Sequence, residues 1–227
     1  MKSALKRLVY TLPEHWVVLL KSLYFRRQMQ QAAFKPDEVE ADLVPSMVKP
    51  GDWVLDIGAN IGHYTLLFSR CVGPTGRVLA FEPIPATFAA LAMNALHAPF
   101  PNVSLFNVAV SEQTQRVAMT MPPLGDTGQG NPYQAHITES GEFSILCLPI
   151  DGLGIRQRVT LVKIDAEGHE LQVLHGMKAL LERDHPRLIV EGDDAEVEQF
   201  LATLGYGFTK QPGAWNRVYA PLGNNAM

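Results

Sequence analysis

The sequence predicts a doubly wound α/β fold, Rossmann-like, with a mostly parallel sheet and a C-terminal antiparallel hairpin. Three observations carry this prediction. Short apolar runs alternate with longer runs of helical period. The first apolar run opens into a turn holding Gly58 and Gly62. The last two runs, separated by a turn at Pro212-Gly213, read as a hairpin added to the sheet.

The elements follow in order. Asp37 to Met47 is acidic with helical patterning, and Pro50-Gly51-Asp52 closes it. Trp53 to Ile57 is a buried parallel strand, and Ile61 to Val72 is a helix. Arg77 to Phe81 forms a second strand closed by Glu82-Pro83, Pro85 to Leu96 a second helix, and Val103 to Val110 a third strand. This alternation places the strands' carboxyl ends on one edge, where ligands bind. Residues 111–145 are rich in proline and glycine and read as an irregular insertion, a candidate substrate lid, with short strands around Val117 to Met121 and Phe143 to Leu148. The pattern resumes with strands Thr160 to Ile164 and Arg187 to Val190, and helices Gly168 to Leu181 and Ala195 to Leu204. Phe208 to Lys210 and Arg217 to Ala220 form the hairpin, with Trp215, Tyr206 and Phe208 as core and edge packing.

Composition limits the function classes. The chain has 227 residues, 47% hydrophobic, with a net charge of −4, which suits one globular domain and excludes a globally basic nucleic-acid binder. Two cysteines, Cys71 and Cys147, are too few for a disulfide framework and read as small buried residues. No apolar stretch has the roughly 18–20 residues of a membrane span, so a cytoplasmic location is expected. Residues 1–27 hold six basic side chains and one acid, net +5, against −9 for the remainder. With Trp16 and its leucines, this part of a 1–35 arm suits peripheral contact with an anionic membrane, or packing on residues 36–227 or a second subunit.

The glycine turn, Asp56-Ile57-Gly58-Ala59-Asn60-Ile61-Gly62, points to a nucleotide-type ligand. A nicotinamide site wants G-x-G-x-x-G, whose pyrophosphate sits on the helix terminus. The middle glycine is missing here, and Asp56 would repel a pyrophosphate. S-adenosylmethionine has no phosphate and carries a sulfonium and an ammonium, which suit that carboxylate. Glu82 can accept both hydroxyl protons of an adenosine ribose.

These segments, together with Asn107 to Ser111 and Val162-Lys163-Ile164-Asp165-Ala166-Glu167-Gly168-His169-Glu170, resemble the FkbM-type methyltransferases over about residues 50–192. The resemblance implies the class I methyltransferase fold. It also implies an S-adenosylmethionine-dependent O-methyltransferase acting on a hydroxyl of a natural product, sugar or lipid-linked glycan. The cofactor contacts it implies are Asp56, Gly58, Ala59, Asn60, Gly62 and Glu82, with Ala109 to Ser111 along the adenine. Leu148-Pro149-Ile150-Asp151 departs from the family pattern, so Asp151 receives no role.

Methyl transfer to a hydroxyl needs positioning and a proton acceptor. Asp165 is the first candidate, as orienter or direct base, then His169, then Glu167. Plain capping of a helix start by Glu167 and Glu170 is the alternative. Asp165, Glu167, His169 and Glu191 would also suit a divalent metal, but no spacing forms a metal motif, and an acid cluster balanced by Lys163 is favoured. His63 and Tyr64, just after the turn, suit either ligand contact or partial burial. An oxidoreductase and a non-catalytic binding module are the competing classes.

Overall fold

The computed structural model describes residues 36–120, 136–138, 141 and 143–223. The basic arm and most of the proline- and glycine-rich stretch within 121–142 lie outside the described residues.

After a 3-10 turn at Val39–Leu43, the elements are α1 (Val44–Met47), β1 (Trp53–Ile57), α2 (His63–Val72), β2 (Arg77–Phe81), α3 (Pro85–Ala95), β3 (Val103–Phe106) and β4 (Ala109–Val110). Then come β5 (Gln115–Thr120), β6 (His136–Thr138), β7 (Phe143–Leu148), a 3-10 turn at Ile150–Leu153, and β8 (Val159–Ile164). The chain ends with α4 (Glu170–His175), α5 (Lys178–Asp184), β9 (Arg187–Val190), α6 (Ala195–Thr203), β10 (Tyr206–Thr209) and β11 (Arg217–Pro221).

The main sheet runs β10-β11-β9-β8-β1-β2-β3. Its five strands from β9 to β3 are parallel, and β10 and β11 add the antiparallel hairpin. The topological switch lies between β1 and β8, where a ligand crevice is expected. Alternation along the strands divides the core between the faces. Leu55, Ile57, Val162 and Ile164 pack with α4, α5 and α6, while Val54 and Val78 pack with α1 and α2. Asp56 and Lys163 are register partners on adjacent strands, so they lie side by side. Both are buried, at 0% and 4% exposure, so these two charges enter the sheet interior together.

Four expectations need correction. The third strand is not continuous. It stops at Phe106, and Ala109–Val110 pairs with β7 in a second sheet ordered β4-β7-β5-β6. Between them the Asn107 amide donates to the carbonyls of Glu82 and Pro83, which turns the chain away from the main sheet. The insertion is therefore more regular than expected, with β5 antiparallel to both β6 and β7. The helix expected from Gly168 is two helices, α4 and α5, meeting at Gly176-Met177. A Cβ on Gly176 would lie 2.1 Å from the Ser111 carbonyl oxygen, so the break sits where the chain packs directly on the strand β4 exit. Asp151 accepts from the amides of Ala179 and Leu180 and so caps α5. Finally, Trp215 is 69% exposed and not core, unlike Tyr206 at 3%. Cys147 is buried and Cys71 half-buried, and both are free thiols.

Candidate active site

One residue beyond each strand, the ladder continues. The amides of Gly58 and Ala59 donate to Phe81 O, Glu82 N to Phe106 O, Asp165 N to Ile57 O, and Glu191 N to Ile164 O. The residues after β9, β8, β1 and β2 are therefore set side by side as Glu191, Asp165, Gly58 and Glu82. All four line one cavity of about 400 Å³ at the carboxyl edge.

The turn closes tightly because three of its residues take positive φ: Gly58 at 73°, Asn60 at 49° and Gly62 at 98°. Gly58 has a second constraint, since a Cβ there would fall 1.8 Å from the Asp165 carbonyl oxygen. Asn60 tolerates the left-handed region because its Oδ1 accepts from the Ile61 amide. Its own amide donates to Glu82 Oε2 at 2.9 Å, and the Ile84 amide donates to Glu82 Oε1 at 2.9 Å. Glu82 is thus held by one backbone donor on each oxygen, which leaves lone pairs on both for a ligand. Burial pushes its carboxyl up to about 7, against the pull of those two amides.

Asp56 also lines the cavity and accepts from Thr65 Oγ1 at 2.6 Å. Its burial pushes the carboxyl up, with Lys163 opposing. Lys163 Nζ reaches Asp165 Oδ2 at 2.7 Å and lies 5.0 Å from the centre of the Tyr64 ring. Burial disfavours the charged ammonium, but Asp165 and Asp56 outweigh it, so Lys163 stays protonated. Asp165 is likewise opposed by burial but held in its charged form by Lys163 and by a hydrogen bond from Glu191. Glu191 is pushed up by burial and by that same hydrogen bond, so it carries the shared proton.

His169 is the residue just before α4, makes no side-chain capping bond, and lines the cavity. Its Nε2 is 2.9 Å from Ser111 Oγ. Burial lowers its basicity, which keeps it neutral near pH 7. Glu170 Oε1 accepts from the amides of Ala166 and Gly168, which ties down the loop ahead of α4 and caps no helix amide. Glu167 is exposed, at φ 50°, with a carboxylate oxygen within 4.8 Å of those of Asp165 and Glu191. His169 is not in that group. The three carboxylates could surround a divalent ion. However, Lys163 already meets the charge of Asp165, and Glu191 meets it with a proton.

The predicted residues Asp56, Gly58, Ala59, Asn60, Glu82, Ala109, Asp165, Glu167 and His169 all line the cavity, as do His63 and Tyr64. Gly62 and Ser111 do not. Gly62 caps α2, and Ser111 is buried against His169. Sequence reasoning missed three contributors. Thr65, on the helix after the turn, holds the Asp56 carboxylate. Met119 enters from the second sheet, and Glu38 enters from ahead of β1; neither position carries a local motif.

The profile of the family described as Methyltransferase FkbM domain matches residues 56–208. The 31-O-demethyl-FK506 methyltransferase FkbM of Streptomyces tacrolimicus is 31% identical over 202 residues, covering 71% of this chain and 74% of its own length. The hexuronic acid methyltransferase AglP of Haloferax volcanii is 31% identical over 134 residues, covering 58% of this chain and 52% of its own length. The solved structure of a methyltransferase FkbM from Methylobacillus flagellatus superposes with a TM-score of 0.55 at 16% identity, covering 89% of this chain and 59% of that one, a likeness of fold. Together with the parallel sheet and the acid-flanked turn, these matches identify the chain as a member of the FkbM methyltransferase family, built on the class I methyltransferase fold.

Proposed function

We propose that the protein is an S-adenosylmethionine-dependent O-methyltransferase whose acceptor is a hydroxyl on a natural product, sugar or glycan. The row formed by Glu82, Gly58 and Asp165 along one cavity carries this reading. The relatives named for FK506 and hexuronic acid support the acceptor class. The donor set fits the cofactor. Glu82 offers a lone pair on each oxygen to a pair of ribose hydroxyls, and the buried Asp56 carboxylate beside the turn would repel a pyrophosphate. Tyr64 Oη and Asp56 Oδ1 are buried, line the same cavity, and have no hydrogen-bond partner among the described residues. When bound, S-adenosylmethionine supplies a methyl group activated by its sulfonium.

The residues of the chain do the rest. Asp165, ionised and fixed by Lys163, orients an acceptor hydroxyl and takes its proton. Glu191 also hydrogen-bonds that carboxylate and helps to hold it. His169, neutral and held by Ser111, and Glu167 stand at the same rim as secondary proton acceptors. No metal is needed for this assignment.

Calorimetry is expected to show S-adenosylhomocysteine binding, with NAD giving no comparable heat; the reverse result would remove the reading. Asp165→Asn should leave that affinity within about threefold. It should also lower transfer of labelled methyl to a responsive hydroxylated acceptor by about 10²–10⁴-fold, the usual range for a lost general base. Unchanged transfer would move the base elsewhere.

A further inference from the structure

The cavity has two chemically different ends, separated by the order of the strands. Toward β3 and the second sheet it is walled by Ile84, Ala109 and Met119. Toward β8 it is walled by Tyr64, Lys163 and Glu38. Glu82 lies between. An adenosine held at Glu82 therefore turns its base to the apolar wall and its amino-acid end to the charged one.

Glu38 reaches this end from outside the sheet. Its segment is tied to the core. The Glu38 carbonyl accepts from the Ala41 amide, the Glu40 side chain accepts from the Asn216 amide, and Ala41 and Val44 are buried in the core with Phe68. Four carboxylates bear on the Tyr64 hydroxyl: Glu38, Glu40, Asp56 and Asp165. Three have one oxygen engaged, Glu40 by Asn216, Asp56 by Thr65 and Asp165 by Lys163, while Glu40 Oε2 and Asp56 Oδ1 are buried without a hydrogen-bond partner among the described residues. The Glu38 carboxylate is exposed, and among the described residues it has no hydrogen bond or ion pair. Tyr64 beside it is 4% exposed, with its hydroxyl unpartnered among the described residues. A charge surplus and an orphaned buried hydroxyl thus meet at one wall, and both call for a ligand that carries a cation and hydrogen-bonding groups.

We propose that Glu38 binds the α-ammonium of S-adenosylmethionine, which adds a cofactor contact from a segment ahead of the family's matched region, residues 56–208. The inference rests on the cofactor reading above. The contact is a charge-assisted hydrogen bond to a group that S-adenosylhomocysteine retains and 5′-methylthioadenosine lacks.

The test is a calorimetric titration of both probes into the full chain and into the Glu38→Gln and Glu82→Ala variants. Glu38→Gln should weaken S-adenosylhomocysteine binding about tenfold and leave 5′-methylthioadenosine unchanged, as for one charge-assisted bond. Glu82→Ala should weaken both probes. Native affinity of Glu38→Gln for S-adenosylhomocysteine, or equal loss of both probes, overturns the proposal while the cofactor reading stands. If the unaltered chain binds neither probe, the cofactor reading falls and takes the proposal with it.

Discussion

Glu82→Ala is expected to weaken S-adenosylhomocysteine binding by about a hundredfold. Glu82 lines the cavity, is buried at 6% exposure, and is held by the Asn60 and Ile84 amides, one on each oxygen, so each oxygen keeps a lone pair. Two charge-assisted hydrogen bonds at about 1.5 kcal/mol each amount to about 3 kcal/mol, or two orders of magnitude in affinity. The variant also strips two turn amides of their acceptor, so thermal unfolding should be measured beside calorimetry. Binding within threefold of native in a folded variant would remove Glu82 from the site. A pH dependence follows from the same group. Without ligand its carboxyl titrates at about 7, chiefly because burial disfavours the charge. Only the ionised form accepts from two hydroxyls, so affinity should fall about tenfold per pH unit below that value and level off above it. The sign for stability is opposite. Between the ordinary value of 4.5 and about 7, the folded protein holds a proton that the unfolded chain has lost, so this group destabilises the unliganded protein as pH rises through that window. A flat affinity profile from pH 5.5 to 8 would contradict the assignment.

Gly58→Ala is expected to be the most damaging single methyl group in the turn. The added Cβ would sit 1.8 Å from the Asp165 carbonyl oxygen and 2.9 Å from its carbon, at φ 73°. Both obstacles are backbone, so no rotamer change relieves them. The exits of β1 and β8 must part, and the Asp165 amide would lose its bond to Ile57 O. A left-handed L-residue costs about 1–2 kcal/mol, and forced overpacking about 1–3 more. For a domain of this size the sum corresponds to roughly 5–15 °C in Tm. Gly154→Ala separates the two costs. It has φ 63° and nothing within 4 Å of a Cβ, so only the conformational cost applies. Thermal unfolding of the two variants should therefore differ by the steric share. Equal shifts in Tm would mean that the close approach of the two strand exits carries no energetic weight. Gly58→Ala should also loosen cofactor binding, since Ala59 and Asn60 lead directly from it to Glu82.

Much of this was legible in the chain itself. A short apolar strand, a glycine turn and a helix are local patterns, and so are the acid closing β2 and the Asp165-Ala166-Glu167-Gly168 exit from β8. Each depends on neighbours within a few residues, where periodicity and backbone sterics act. Those patterns led to the parallel sheet, its terminal hairpin and most of the cavity lining. What they could not carry was any pairing between distant segments. Whether Val103 to Val110 continued as one strand depended on Asn107 bonding to the carbonyls of Glu82 and Pro83, about 24 residues earlier in the chain. Whether the helix after Gly168 ran unbroken depended on Gly176 lying against Ser111.

The division is clearest in the acids. Sequence alone placed Glu82 and Asp165 just past strand ends, at the edge of the sheet, and Asp56 inside the first strand, just before the turn. Only the tertiary structure decided what each carboxylate does there. It put Lys163 and Glu191 beside Asp165, two amides on Glu82, and Glu38 at the same cavity wall as Tyr64. Charge states in a partly buried site are set by partners a few ångströms away. Those partners arrive from strands and turns that share no local pattern, so the parallel sheet has to form before the chemistry of any of these carboxylates is defined.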